Sequence, residues 1–284
     1  MKIFYSLIII VLTGLVASWF VAGELVSPAP ARILKPDTNL PIDPLEFISD
    51  SGATISGWHV KHTDSKGVVL LFHGIRSNRL SMFKRAELLY SHGYSSILID
   101  FQAHGLSSGQ KITVGYLEKL DVLATVKFAR SHYGNSFIAV MGVSMGGAAA
   151  LLASPLSVDA MVIESVYPDI ESAVHNRVKQ RLGFLSWVPS KLLLFQLEPR
   201  LGIKLSDLRP IDSLDNVDSP ILIISGEADL HTTKEETLQI FERAKEPKSL
   251  WIVKELAHED VYSQYPEEYE SKVMGFLNSH LGRR

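Results

Sequence analysis

The chain of 284 residues contains no cysteine, which excludes disulfides, thiolate zinc sites, iron–sulfur clusters and a cysteine nucleophile. The chain also has no large excess of charge of one sign: 28 basic and 31 acidic side chains give a net charge of −3, and no run holds five like charges. We therefore expect no nucleic-acid partner, because such binding needs a basic surface. The loops that bind nucleotide phosphates, Gly-x-x-x-x-Gly-Lys and Gly-x-Gly-x-x-Gly, do not occur, and we expect neither a cofactor nor a metal.

The amino-terminal segment has no charged residue from Ile3 to Gly23. As a helix, this stretch would be about 31 Å long, close to the ~30 Å hydrocarbon core of a bilayer. It predicts a single-pass membrane anchor in residues 1–23, with the bulk of the protein outside the cytoplasm. A secretory signal cleaved after Val21-Ala22-Gly23 and a buried core helix are the alternatives.

Residues 24–45 contain five prolines and predict a stiff, extended spacer between the membrane and the folded domain. The remaining residues, 46–284, are long enough and apolar enough to form a sizeable core. They are therefore predicted to hold the functional domain.

Within residues 46–284, short β-rich runs alternate with helical patterns. The predicted strands are Ala53–Val60, Val68–Phe72, Ser95–Asp100, Phe137–Val143, Ala160–Ser165, Ile221–Ser225 and Leu250–Val253. The predicted helices are Arg79–His92, Val114–Tyr133, Ser144–Ser154, Thr233–Ala244 and Glu267–Leu281. Several strands are apolar almost throughout, which is typical of strands covered on both faces. The alternation predicts an α/β fold with a mainly parallel, doubly wound sheet.

An insertion interrupts this alternation at about residues 166–214, where helical stretches rich in apolar residues replace a short connection. Connections of this length are usually functional. The insertion is either an extra pair of helices packed over the sheet edge or an apolar cap over a ligand pocket, and the two interpretations are compatible.

The pattern Gly-x-Ser-x-Gly occurs at Gly142–Gly146 and again at Gly105–Gly109. A nucleophile elbow needs a strand that runs straight into the turn and a helix that leaves it. Only the first copy has both neighbours, so Ser144 is the predicted nucleophile. Ser107 has neither, and is predicted to lie in a plain loop or to shape the site.

A serine nucleophile needs a histidine base and a carboxylate that orients the histidine. Asp229 follows the predicted strand Ile221–Ser225, and His258 follows Leu250–Val253. Because open α/β sheets place their sites beyond the carboxyl ends of strands, Ser144, Asp229 and His258 are predicted to meet at one edge.

Other residues compete for these roles. Glu227 and Glu164 are the alternative acids, and His231 is the main alternative base, although it would crowd Asp229. Glu259 and Asp260, beside His258, are predicted to be solvated.

The oxyanion hole is predicted to combine the backbone N–H of Met145, directly after the nucleophile, with the N–H of Ile75. Ile75 lies in the loop after Val68–Phe72, where Gly74 permits a sharp turn. His73 precedes that turn, and is predicted to hold it rather than to catalyse.

These motifs together resemble the α/β-hydrolase superfamily from about Leu45 to the end of the chain. The matching pieces are His73-Gly74, the loop Asp100–Gly109, the elbow at Ser144, Gly226-x-x-Asp229 and His258. The loop is similar to the family's Asp-x-Arg-Gly-x-Gly-x-Ser-x-Gly, with Gln102 and Ala103 in place of arginine and glycine. The resemblance implies a mostly parallel sheet of eight strands, hydrolysis through an acyl-enzyme, and no cofactor. The chain looks most like membrane-anchored bacterial members related to serine aminopeptidases and acylglycerol lipases.

We therefore expect a serine hydrolase that acts on a carboxylic ester or thioester, with a small-molecule or lipid acyl substrate. An aminopeptidase-like amidase and an acyltransferase would use the same residues and are the alternatives. A non-catalytic binding protein is a further alternative that the ordered triad disfavours. The apolar insertion and the predicted anchor together indicate a lipophilic acyl chain.

Overall fold

The computed structural model describes residues 2–282 of the chain. Met1, Arg283 and Arg284 lie outside the described residues, and so do the side chains of residues 2–4 and 7–11. The helices are α1 (Lys2–Leu25), α2 (Phe83–Ser91), α3 (Glu118–Tyr133), α4 (Met145–Leu152), α5 (Ile170–Leu182), α6 (Trp187–Phe195), α7 (Leu197–Leu201), α8 (Lys234–Arg243), α9 (Val261–Gln264) and α10 (Pro266–Ser279). The strands are β1 (Ala29–Pro30), β2 (Ile42–Ile48), β3 (Thr54–Val60), β4 (Gly67–Phe72), β5 (Ser95–Ile99), β6 (His104–Gly105), β7 (Phe137–Val143), β8 (Ala160–Glu164), β9 (Ile221–Gly226) and β10 (Lys248–Val253).

Eight strands form one sheet in the order β10-β9-β8-β7-β4-β5-β3-β2. The pairs from β10 to β5 are parallel, whereas β3 is antiparallel to both β5 and β2. The prediction of a mostly parallel α/β sheet with helices on both faces is confirmed. Because the parallel strands run the same way, the segments after β4, β7, β9 and β10 leave the sheet at the same edge.

The core lies on both faces of this sheet. Alternate residues of β4 belong to different apolar clusters: Val68, Leu70 and Phe72 to one, Val69 and Leu71 to the other. Successive strand side chains point to opposite faces, so each cluster covers one face. The first cluster includes residues of α3, α4 and α8, and the second includes residues of α2 and α10. Double coverage explains why these strands are apolar throughout.

The proline-rich stretch 24–45, predicted to be a stiff, extended spacer, packs on the folded domain. Ala29–Pro30 pairs with His104–Gly105, and β2 begins at Ile42 and pairs along its whole length with β3. Pro44 fits because β2 is an edge strand, where a missing N–H leaves no ladder bond unmade. Ile42 and Leu45 are buried, so the stretch is part of the folded domain.

The membrane anchor predicted in residues 1–23 falls partly outside the described residues. Where side chains are described, the helices include none with both the length and the apolarity that crossing a bilayer requires. The anchor thus has no support from the structure, and the location of the protein in the cell stays a prediction.

The insertion predicted at residues 166–214 contains α5, α6, α7 and two short 3-10 helices, and a third 3-10 helix, Pro210–Asn216, ends just beyond it. It leaves the sheet after β8 and returns at β9. α5 and α6 pack against each other, and α6 also contacts α1. The helices therefore form a small layer of their own, which meets the end of α1 near the carboxyl edge of the sheet.

Candidate active site

Ser144 occupies the turn between β7 and α4 with a strained backbone, φ 50° and ψ −116°. Non-glycine residues adopt this conformation only when the surroundings impose it. The flanking glycines provide those surroundings, because a Cβ at Gly146 would lie 2.3 Å from the Phe72 carbonyl oxygen, and one at Gly147 would lie 2.4 Å from Val166. The local fold is therefore that of a nucleophile elbow.

The Ser144 hydroxyl makes no hydrogen bond to another described residue and adjoins open space. Its backbone N–H donates to the Glu164 carbonyl oxygen at 2.8 Å, which fixes the turn to the end of β8. Two cavities, of about 400 and 120 Å³, include Ser144 in their walls. A hydroxyl in this position is open to attack a bound group.

The loop after β4 faces the elbow and is held by two buried histidines. His73 donates from Nδ1 to the Gly74 carbonyl oxygen at 2.7 Å and accepts from the Phe101 N–H at 3.1 Å. His104 accepts the Arg76 N–H at 3.1 Å. Each ring accepts through a nitrogen that must carry no proton, so both are neutral. Burial lowers the pKa of His73 to about 4, and nearby His104 adds to the shift. His73 therefore holds the turn, as predicted.

The two predicted oxyanion donors lie beside the serine. Ile75 and Met145 both line the 120 Å³ cavity with Ser144. Met145 is the first residue of α4, where an N–H has no carbonyl partner within the helix. Among residues 2–282, neither amide donates to another protein group. Two unused N–H groups next to a serine can stabilise a developing negative charge.

Asp229 and His258 are in direct contact. His258 Nδ1 lies 2.7 Å from Asp229 Oδ2, while Asp229 Oδ1 accepts the backbone N–H groups of His231 and Thr232 at 2.7 and 2.9 Å. Burial acts to raise the pKa of Asp229, but these hydrogen bonds, led by that of His258, outweigh it and lower the pKa. The carboxylate therefore stays ionised and orients the imidazole.

The histidine ring and Ser144 line the same 400 Å³ cavity. No described hydrogen bond joins the Ser144 hydroxyl to the ring. In catalytic sites without substrate such a contact is often long and tightens on binding.

The competing acids are engaged elsewhere. Glu164 forms a buried, two-point ion pair with Arg85, at 2.7 and 3.0 Å, and accepts from the Tyr269 hydroxyl at 2.5 Å. Glu227 is exposed and pairs with Lys234 at 2.9 Å. Neither is placed to orient His258. Asp260, predicted to be solvated, is only partly so, because it lies 2.7 Å from the Arg85 guanidinium.

His231, the competing base, lies beside His258 with the two ring centroids 4.6 Å apart. Its backbone N–H, not its ring, reaches Asp229. Burial and then the nearby His258 lower the pKa of His231, so this ring is predominantly neutral at pH 7. His231 is part of the cavity wall.

The second serine motif has a structural role. The Ser107 hydroxyl donates to the Asp100 carbonyl oxygen at 2.6 Å and accepts the Ser56 N–H at 2.9 Å. The Asp100 carboxylate in turn forms a buried ion pair with Arg79 at 2.6 Å. Where the resembling family has arginine and glycine, Gln102 binds Glu118 and Lys111, and Ala103 adopts a positive φ of 59°.

Sequence reasoning did not identify Arg85, Arg177 or Arg76. Arg85 bridges Glu164 at the end of β8 to Asp260 in the histidine loop, and Arg177 of α5 lines both cavities. Arg76, next to Ile75, donates to the Glu24 carbonyl oxygen at 2.9 Å. The side-chain partners of Arg85 and Arg76 lie 49 or more positions away, so a single sequence carries no signal for these pairs.

Comparison with known proteins agrees with this fold. The profile of the family described as serine aminopeptidase, S33, matches residues 63–204, which is half of the chain. The chain belongs to this family of α/β hydrolases. The match includes β4 to α7 and the elbow, whereas Asp229 and His258 lie beyond it.

Individual relatives of this S33-family hydrolase extend over most of its length. The uncharacterised protein YqkD of Bacillus subtilis is 26% identical over 80% of this chain and 76% of its own. The esterase PF2001 of Pyrococcus furiosus has a TM-score of 0.74 at 25% identity, with 90% of this chain and 99% of that chain covered. The polyketide transferase GrgF of a Penicillium species is 24% identical over 86% of this chain and 98% of its own.

Proposed function

We propose that this protein is a serine esterase that cleaves a carboxylic ester or thioester through an acyl-enzyme. The observation that carries the proposal is the 2.7 Å contact of Asp229 with His258, which lines the same cavity as Ser144. The similarity to an archaeal esterase over nearly the whole fold supports it.

In this mechanism, Ser144 Oγ bonds to the substrate carbonyl carbon while its proton passes to His258 Nε2. The carbonyl π electrons move to oxygen, and the N–H groups of Met145 and Ile75 stabilise the resulting oxyanion. Asp229 accepts a hydrogen bond from His258 Nδ1, which leaves Nε2 free to accept the proton, and its charge stabilises the imidazolium that forms. The leaving oxygen or sulfur departs with the proton from His258, and water repeats the sequence to release the acid.

The decisive test is turnover of p-nitrophenyl butyrate by the protein and by Ser144→Ala. The substitution removes the nucleophile, so kcat should fall by a factor of about 10⁴ or more. Circular dichroism should show that the variant is folded. Unchanged turnover in a folded variant would refute the assignment.

The cavity lining favours esters over aminoacyl substrates. A substrate of an aminopeptidase carries an ammonium group beside the scissile carbonyl, and this cation needs an acidic partner. The described residues around the 120 Å³ cavity include Arg177 and no carboxylate, whereas Glu164, Glu259 and Asp260 line the 400 Å³ cavity with His258, where the leaving group would lie. We therefore expect p-nitrophenyl butyrate to be turned over faster than alanine p-nitroanilide.

Acyl transfer is the second candidate, because the chain is similar to the polyketide transferase GrgF. A transferase would pass the acyl group from Ser144 to an alcohol instead of water. Product analysis with added acceptor alcohols distinguishes the two: an esterase yields mainly the free acid, and a transferase mainly the new ester.

A further inference from the structure

The end of α1 forms one wall of the apolar cavity beside Ser144. Ala22, Leu25 and Val26 line this cavity together with Val174 of α5 and Leu193 of α6. Ala22 is 6% exposed, whereas Leu12, Val16 and Phe20 are more than half exposed. Among the α1 side chains that the structure describes, Ala22 is the buried one. The helix is thus buried at Ala22, whereas Leu25 on the same wall is 47% exposed.

Two arginines fasten the end of α1 to the site. Arg76, next to the predicted oxyanion donor Ile75, donates to the Glu24 carbonyl oxygen at 2.9 Å and to the Ser27 hydroxyl at 3.2 Å. Arg200, at the end of α7, donates to the Trp19 carbonyl oxygen and lies 3.7 Å from the Trp19 ring centroid.

Further contacts hold the last part of α1 and the residue that follows it. The Val26 carbonyl oxygen accepts the Ile112 N–H at 2.9 Å, and Gln196, between α6 and α7, donates to the Ser18 hydroxyl at 2.8 Å. A Cβ at Gly23 would lie 3.3 Å from the Arg200 guanidinium, so the glycine permits close approach. The wall is therefore fixed to the oxyanion loop on one side and to the insertion helices on the other.

The proton path of the proposed reaction assigns the two cavities to different parts of the substrate. The leaving group must lie near His258, which protonates it. His258 lines the 400 Å³ cavity together with the polar side chains of Glu259, Asp260 and His231. The 120 Å³ cavity, whose lining is mainly apolar, is therefore the one that would bind the acyl chain.

We infer that the end of α1 closes the acyl-binding cavity and sets the length of the acyl chain that the enzyme accepts. The inference rests on the proposed esterase function. An apolar protein cavity of about 150 Å³ holds a benzene molecule, so this cavity suits a short chain of roughly four to six carbons. The amino-terminal segment is thus a part of the substrate site, and Ala22 and Leu25 determine specificity.

Two opposite substitutions test this assignment in the full chain, with p-nitrophenyl esters from acetate to dodecanoate. Ala22→Leu adds volume to the wall, so kcat/KM for hexanoate should fall at least 10-fold while that for acetate stays within 3-fold. Leu25→Ala removes volume, so kcat/KM for octanoate relative to butyrate should rise at least 5-fold.

Matched controls use the same changes at exposed positions of α1. Ala17→Leu and Leu12→Ala should leave the chain-length profile as it is in the unaltered protein. An unchanged profile in both test variants, or an equal loss on every ester, would overturn the role of α1 and leave the esterase function standing. An unaltered protein that cleaves no ester and reacts with no fluorophosphonate would overturn both.

Discussion

The two Gly-x-Ser-x-Gly turns share a sequence pattern and differ in what surrounds the hydroxyl. Ser107 donates to a backbone carbonyl and accepts a backbone N–H, so both functions of its hydroxyl are used within the protein. Ser144 has no such partner among the described residues, and open space adjoins it. The pattern therefore specifies a tight turn, and only the strand before it and the helix after it lift one serine into a cavity.

Chemical labelling should separate the two serines most strongly. A fluorophosphonate reacts with a serine that is activated by a base, so it should modify Ser144 and leave Ser107 untouched. Mass spectrometry of the digested protein locates the adduct. Ser144→Ala should abolish labelling, and Ser107→Ala should keep its rate within a few-fold. An adduct on Ser107 would contradict the distinction.

Acid should weaken the region around the Ser107 loop through His73. The pKa of His73 is about 4 in the folded protein and about 6.5 when unfolded, so the unfolded state binds more protons between these values. The contribution of His73 is complete above pH 6.5 and is lost as the pH falls towards 4, by about 3 kcal/mol.

Denaturant unfolding at several pH values checks this. His73→Gln should show a shallower loss of unfolding free energy between pH 6.5 and 4 than the unaltered protein. Asp121, whose pKa burial raises to about 6, acts in the opposite direction but equally in both proteins. If the unfolding free energy fell equally with pH in both proteins, the pKa of His73 would be the same in the folded and unfolded states, and the prediction would be wrong.

The same substitution at the two serines should have different effects on stability. Ser107→Ala leaves the Ser56 N–H and the Asp100 carbonyl oxygen without their partner, which costs about 1–2 kcal/mol. Ser144→Ala removes a hydroxyl with no described partner, so the change should stay within about 0.5 kcal/mol. Denaturant unfolding at pH 7 measures both, and equal losses would contradict the comparison.

Apart from Ser144→Ala, the smallest effect on stability is expected at Ala103, where the resembling family has glycine. Its φ of 59° is unfavourable for a residue with a Cβ, so Ala103→Gly relieves strain in the folded state but adds freedom to the unfolded chain. We expect a net stabilisation of less than about 1 kcal/mol, visible as a small rise in Tm. A loss above 1 kcal/mol would show that the Ala103 methyl packs favourably.

The prediction of the central sheet is confirmed, and the prediction that Ser144, Asp229 and His258 meet at one edge follows from the same kind of local pattern. The structure shows His258 in contact with Asp229 and in the wall of a cavity that Ser144 also lines. Buried parallel strands are apolar runs, and the segments after them share one edge. The sequence did not predict β2, because a proline such as Pro44 is unfavourable in most strands. It also did not predict that the stretch 24–45 packs on the domain. Nor did it reveal the contact of Arg76 with Glu24, which joins residues 52 positions apart.

Arg85 has a consequence for the proposed reaction. One guanidinium ties Glu164, whose carbonyl binds the nucleophile turn, to Asp260, two positions after the histidine. The distance between the loops that carry Ser144 and His258 is thereby set during folding, before any ligand arrives. The loops then lose their conformational entropy when the protein folds and not each time a substrate binds, which is the advantage of a preorganised site.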